Sequence, residues 1–376
     1  MSYESIILQN QEWVGAVFEK LEKKLCRISE KSRNKIPYST FGGVHDNMAD
    51  ERVSWWTNGF FGGLMWLMYE ATGKECYKTT AKAQELLLDG AWEQPEKLHH
   101  DVGFQWNILS GASYRLTGDK LSLQRLKRAA EMLYNRYNEK GEYIVAWNGD
   151  KVRGWSIIDS MMNIPLLYRA SEIFGDEKYK DVAIRHANMA MRDHVRPDGS
   201  VNHIVNHYID KVGVVEALGG QGYGVGSCWS RGAAWALYGF ALSYIHTEDS
   251  RYIDTAKKVA HYFISALSVS NFLPLTDFRA PSEPVVYDST ASAIASAGLI
   301  ELARLVPEYE KDLYLSAAIK SLKALEENFC DFTDDEDGIL MNGMELYIKE
   351  PKNIIYGDYY FTEAILKLHG SEFLAW

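Results

Sequence analysis

The feature that most constrains this chain is a recurring seam between two unlike helical stretches. It appears at ATGKECYKTTAKA (71–83), LTGDKLSLQRLKRA (116–129), IFGDEKYKDVAIRHA (173–187) and HTEDSRYIDTAKKVA (246–260). At each seam a more apolar segment passes through a short turn into a more charged one. A helix apolar on every side must be buried, whereas a charged one keeps a face in water. The alternation therefore predicts paired inner and outer helices. Inner helices fall near 57–72, 101–117, 160–174, 229–246, 287–305 and 357–369. Outer helices fall near 9–29, 75–90, 119–138, 176–193, 250–268 and 308–328. Extended pieces are brief, chiefly EYIVAWN (142–148) and SVNHIVNHYI (200–209).

Six such pairs either close into a ring, an all-α (α/α)6 barrel, or stay an open solenoid. Small residues on the inner set, among them Gly62, Gly63, Gly111, Ala112, Gly232 and Ala293, allow close approach and favour closure. No linker or low-complexity segment interrupts the order, so residues 1–376 read as one domain.

With 40 Lys and Arg against 51 Asp and Glu, the net charge of −11 argues against nucleic acid or an anionic membrane as partner. The N-terminus lacks a basic segment followed by an apolar one, and no run approaches the roughly 20 apolar residues of a membrane span. A cytoplasmic location is the expectation. Cys26, Cys76, Cys228 and Cys330 form no CxxC and read as reduced thiols rather than a zinc site. The acidic run DFTDDEDG (331–338) fails the calcium-loop pattern, with Thr333 in the first ligand position and Met344 in the twelfth.

Within GWSIIDSMMNIPLL (154–167), Asp159 stands among Trp155, Ile157, Ile158, Met161 and Met162. Desolvation there raises a carboxyl pKa toward the range a general acid needs. The competing reading makes Asp159 the cap of the next helix; Asn163 as cap before Pro165 would instead leave Asp159 free. Asp101, in HHDVGFQW (99–106), supplies a second carboxylate, the usual pairing for glycosidic chemistry. The polar and aromatic clusters recur at the start of each inner helix: Trp55, Trp56 and Asn58; Asp101; Asp159; Trp229 and Arg231; Asp288; Asp358. In a closed barrel they ring one mouth, where helix N-termini favour an anionic ligand. Asp288 and Asp358 also read as helix caps. His203 and His207, four apart, lack the matching acid of a metal site. In GGQGYGVGSCWSRGAAWALYGF (219–240) a glycine-rich loop runs into Trp229, Arg231 and Trp235 with no preceding strand, so it is not a dinucleotide fingerprint. Arg231 offers a planar fork for a carboxylate.

HDVGFQ (100–105), IIDSMMNIPLLYRAS (157–171), QGYGVGSCWSRGAAWALYGF (221–240), DSTASAIASAGLIEL (288–302) and NIIYGDYYFTEAIL (353–366) together resemble the unsaturated glucuronyl hydrolases of glycoside hydrolase family 88. The resemblance covers almost the whole chain. The sister family of unsaturated rhamnogalacturonyl hydrolases shares the barrel and a WSRG-type motif, and the wording here is closer to the glucuronyl group. The resemblance implies an (α/α)6 barrel that removes the 4,5-unsaturated uronic acid from the non-reducing end of lyase-generated oligosaccharides. It implies that Asp159 protonates C4 and activates the water that adds at C5, with no metal or organic cofactor. Asp101 would assist; His203, Gln221 and Arg231 would hold substrate and water; Trp55, Trp147 and Trp235 would form stacking walls, with Asn58 beside them. His207 and Trp56 are adjacent alternatives to His203 and Trp55. Lys349 and Lys352 could meet a sulfate on the next sugar or be solvated surface lysines. Three readings compete: the rhamnogalacturonyl specificity, an inverting glycosidase using Asp101 and Asp159 as separate acid and base, and a non-catalytic carbohydrate-binding barrel.

Overall fold

The computed structural model describes residues 2–376. Its twelve long helical segments fall into the predicted pairs. The inner helices are Phe60–Thr72, 102–117, Pro165–Phe174, Ser230–Thr247, Ser289–Leu305 and Ile355–His369. The segment 102–117 is Val102–Trp106 joined through a π-turn, Asn107–Gly111, to Ala112–Thr117. The outer helices are Tyr3–Lys31, Glu75–Leu88, Lys120–Tyr134, Glu177–Asp193, Ser250–Ser268 and Glu308–Phe329. Each inner helix packs on the next, and Ile355–His369 packs on Phe60–Thr72, so the ring is closed and the open solenoid is excluded.

The seams owe their form to capping. Gly73, Gly118, Gly175 and Glu248 each take the left-handed conformation that ends an inner helix. Asp119, Asp176 and Asp249 follow at once as caps of the outer helices, their carboxylates accepting backbone N–H groups of the first turn. The inner helices carry almost no exposed side chains; Ser289–Leu305 is buried along nearly its whole length. Where the turn ahead of Pro165 meets the helix Ser230–Thr247, Gly239 stands against the Met161 backbone, and a β-carbon there would lie 2.7 Å from the Met161 carbonyl oxygen. No helix among the described residues is long and apolar enough to cross a membrane.

A three-stranded antiparallel sheet, Trp155–Ile157, Ile204–His207 and Val214–Leu218, stands over one end of the ring. The middle strand lies in the predicted extended piece; the strand at Trp155–Ile157 was hidden by the apolar run around it. Beneath the sheet, Ser156 Oγ bridges His194 Nε2 (2.7 Å) and His207 Nε2 (2.8 Å). Burial pushes His194 down to about 3, His207 to about 4 and His186 well below the usual imidazole range. These rings stay neutral while the same residues protonate near pH 6.5 in the unfolded chain. The unfolded state therefore binds protons first, so stability is full above about pH 6.5 and is lost as the pH falls toward about 4. The urea midpoint is expected to be clearly lower at pH 5 than at pH 7. Equal midpoints would contradict the neutral cluster.

Candidate active site

The sheet register builds the first half of the site. Ile157 pairs with Ile204, and the Ile158 N–H donates to the His203 carbonyl at 3.0 Å, so Asp159 emerges beside His203. Asp159 lies in the 3-10 turn Ile158–Met162 ahead of the helix that begins at Pro165, and it caps nothing. It is 8% exposed; its Oδ1 has no hydrogen-bond partner and faces His203 Nε2 at 3.6 Å. The Gln221 backbone N–H donates to His203 Nδ1 at 2.9 Å, which leaves the imidazole proton on Nε2, toward Asp159. Gly220 makes that bond possible: its φ is +59°, and a β-carbon there would stand 2.0 Å from His203 Nδ1. His207 faces Ser156 behind the sheet, so of the two histidines His203 is the one beside Asp159.

The second half comes from the turn before Val102. Asp101 Oδ2 lies 3.2 Å from His99 Nδ1 and 3.3 Å from His100 Nε2, and Asp101 Oδ1 accepts from Asn163 Nδ2 at 3.2 Å. Burial alone would raise the Asp101 carboxyl, but His100, His99 and Asn163 outweigh it and hold the group below the usual carboxylate range. His100 is itself pushed down to about 4 by burial, so at neutral pH it acts on Asp101 as a neutral imidazole. His99, His100 and Asp101 offer three possible ligand atoms within 4.8 Å of one another, the one such trio among the described residues. In the sequence, the one signal that both histidines belong to the site is their adjacency to the acid in HHDVGFQW.

Asn163 joins the halves. It is not the helix cap expected of it, a position held by Ile164. Its amide nitrogen also donates to the Asp159 carbonyl at 3.2 Å, and its oxygen accepts the Phe104 N–H at 2.8 Å. Gly103 opposite leaves room, since a β-carbon there would meet the Asn163 backbone at 2.5 Å.

The two acids share a cavity of about 220 Å3 walled by Trp55, Trp56, Trp147 and Trp229, with Gln221 and Arg231 on the far side. Its lining comes from the starts of four inner helices, from Trp147 ahead of the sheet, from Ile157 in its first strand and from the loop after it. That volume is below the roughly 300–1,000 Å3 of sites that bury a drug-sized ligand, and suits a single sugar ring. Both Trp55 and Trp56 line it.

Three expected contacts are placed differently. Asn58 is buried away from the cavity, its amide tying the Arg52 and Val53 carbonyls at 3.1 and 2.8 Å. Trp235 is fully buried beneath the site against Phe104 and Tyr360, a floor rather than a stacking wall. Arg231 borders the cavity, but its guanidinium is engaged: it pairs with Asp288 Oδ2 at 2.6 Å, donates to the Met344 and Glu345 carbonyls, and stacks on Trp229. Asp288 is the cap that it was read as, accepting the Thr290 N–H. Asp358 is not a cap; inside its helix it accepts the Ile339 and Leu340 N–H groups, and burial raises it to about 7. Lys349 and Lys352 both pair with Glu345. Burial would raise that carboxyl, yet the two lysines and Tyr38 hold it at about 2, so neither lysine is a free cation.

The sequence profile described as Glycosyl Hydrolase Family 88 matches residues 28–369. The unsaturated chondroitin disaccharide hydrolase of Streptococcus pneumoniae (strain ATCC BAA-255 / R6) is 31% identical over 98% of this chain and 95% of its own. The unsaturated glucuronyl hydrolase of Bacillus sp. (strain GL1) is 35% identical over 83% of this chain and 86% of its own. The crystal structure of the Bacillus sp. GL1 unsaturated glucuronyl hydrolase superposes with a TM-score of 0.88 at 30% identity, covering 94% of this chain and 96% of that one. A Streptococcus agalactiae unsaturated glucuronyl hydrolase mutant complexed with dGlcA-GalNAc6S gives 0.82 at 28% identity, covering 96% and 93%. The chain belongs to glycosyl hydrolase family 88.

Proposed function

We propose that this glycoside hydrolase releases the 4,5-unsaturated uronic acid from the non-reducing end of lyase-generated glycosaminoglycan oligosaccharides, with Asp159 as general acid and base. The observation that carries the reading is the one-ring cavity lined by both Asp159 and Asp101, with Asp159 Oδ1 buried, without a hydrogen-bond partner, and 3.6 Å from the Nε2 of a His203 held as the Nε2–H tautomer. A carboxyl so placed can give its proton to C4 of the vinyl ether. As the carboxylate it then takes a proton from the water that adds at C5, and it is restored to the acid. The resulting hemiketal opens and expels the remaining sugar. Asp101, kept anionic by its neighbours, would accept sugar hydroxyls, and the tryptophan walls would hold the ring. The names of the relatives favour the glucuronyl over the rhamnogalacturonyl substrate.

The test is an unsaturated chondroitin disaccharide incubated in D2O. Expected are loss of the ultraviolet absorbance of the conjugated double bond and one deuterium at C4 of the released keto-uronate. Cleavage with the double bond intact would instead indicate ordinary glycosidic hydrolysis by Asp101 and Asp159. No cleavage would leave the carbohydrate-binding reading.

Asn163→Asp tests the link between the halves. A third carboxyl 3.2 Å from Asp101 Oδ1 would disfavour the anion there. The acid limb of the kcat/KM profile is expected to move up by about one pH unit or more. A lower rate with an unmoved profile would make Asn163 merely structural.

A further inference from the structure

A cavity sized for one ring leaves the rest of any longer substrate to run over the surface, so the grooves that adjoin it decide what that chain meets. Two do. One, about 500 Å3, shares Trp55 and His99 with the site; there Asp50 and Glu51 balance Arg52 and Lys97. Its Arg52 already lies over the Trp55 ring at 3.9 Å. The other, about 700 Å3, shares Trp147 with the site and is bordered by Arg136, Lys140 and Arg153, with Glu139 and Asp150 as its acids. In a chain of net charge −11 this local excess of cations runs against the whole.

Arg136 is the informative member. It is half-buried; its Nε donates to the Val145 carbonyl at 2.8 Å and one terminal nitrogen to Asn148 Oδ1 at 2.7 Å. Both partners are neutral, and among the described residues it forms no ion pair. Burial pushes the guanidinium down to about 10, against which only the more distant Asp101 acts. Lys140 and Arg153, both exposed on the rim, likewise form no ion pair among the described residues. A half-buried cation without a counter-charge is costly unless a ligand supplies one.

We propose that the groove on the outer side of Trp147 is a second carbohydrate subsite, which takes an anionic sugar of the longer substrates, an internal uronate or a sulfated residue. Trp147 supplies the shared aromatic wall, and Arg136, Arg153 and Lys140 receive the anion. This rests on the hydrolase reading and adds to it the surface that holds the rest of an oligosaccharide.

The test is the Lys140→Glu/Arg153→Glu double variant, neither position touching the catalytic cavity. The wild type is expected to prefer an unsaturated chondroitin hexasaccharide over the disaccharide. The variant is expected to lose about tenfold in kcat/KM on the hexasaccharide, to keep its disaccharide activity, and to recover part of the loss in high salt. A parallel calorimetric titration of hexasaccharide into Asp159→Asn, with and without the two reversals, reads the groove independently of turnover. There the reversals are expected to weaken binding by a similar factor. A larger loss with 6-sulfated than with unsulfated hexasaccharide assigns the anion to sulfate, and an equal loss to the uronate. Unchanged hexasaccharide turnover and binding in the variant would overturn the subsite. A wild type inert toward the disaccharide would refute the hydrolase reading instead and leave the titration to decide the groove.

Discussion

Asp159→Asn is expected to fold like the wild type and to lose turnover by about 10²–10⁴-fold or more, because the amide keeps the shape but has no transferable proton. Folding is spared because Asp159 Oδ1 makes no hydrogen bond within the protein and stands 3.6 Å from His203 Nε2. The loss belongs in kcat rather than KM, since the cavity walls and His203 are untouched. Wild-type turnover by a folded variant would remove Asp159 from the mechanism. Asp101→Asn is expected to be severely impaired for a different reason. Its Oδ2 faces His99 and His100, and an amide there would break the arrangement that holds the second charge. If Asp101→Asn turned over nearly normally, the two-carboxylate reading would fail.

What the sequence disclosed and what it withheld divide along contact distance. The seams were legible because an αL residue followed by an Asp cap is written in consecutive letters, as at Gly118–Asp119 and Gly175–Asp176. Asp159 was legible because a lone acid in an apolar run is a local contrast. His203 could not be separated from His207 without the strand register and the irregularity between Asn206 and His207, which together decide which imidazole meets Asp159. Trp235 and Asn58 look like their neighbours Trp229 and Trp55 in sequence, and only packing shows that one is floor and the other a tie for a turn. Arg231 was read for its chemistry, a fork seeking a carboxylate. That chemistry is satisfied by Asp288, 57 residues on, and by the Met344 carbonyl, 113 residues on.

That engagement turns Arg231 from a predicted substrate clamp into the centre of a buried ion pair, and the consequence is large. Arg231 and Asp288 are 1% and 0% exposed, so removing either partner strands a charge in the barrel. Asp288→Ala is expected to cost about 3–5 kcal/mol in a urea unfolding experiment. Part of that cost is the lost cap on the helix Ser289–Leu305. Arg231→Lys keeps the charge but cannot serve Asp288 and the Met344 and Glu345 carbonyls together, because an ammonium lacks the planar fork. The Glu345 carbonyl also receives the Gln221 side-chain amide at 2.7 Å, and the Gln221 N–H orients His203. Loosening Glu345 therefore reaches the site through two hydrogen bonds. Arg231→Lys is expected to lose stability and raise KM together, whereas a pure substrate clamp would raise KM at unchanged stability. The double variant Arg231→Met/Asp288→Leu separates the pair from its parts: with no charge left to strand, it is expected to be less destabilised than Asp288→Ala alone. Near-wild-type stability in both single variants would show that the pair does not hold this end of the barrel, and would return Arg231 to the role of a residue waiting for an anionic sugar.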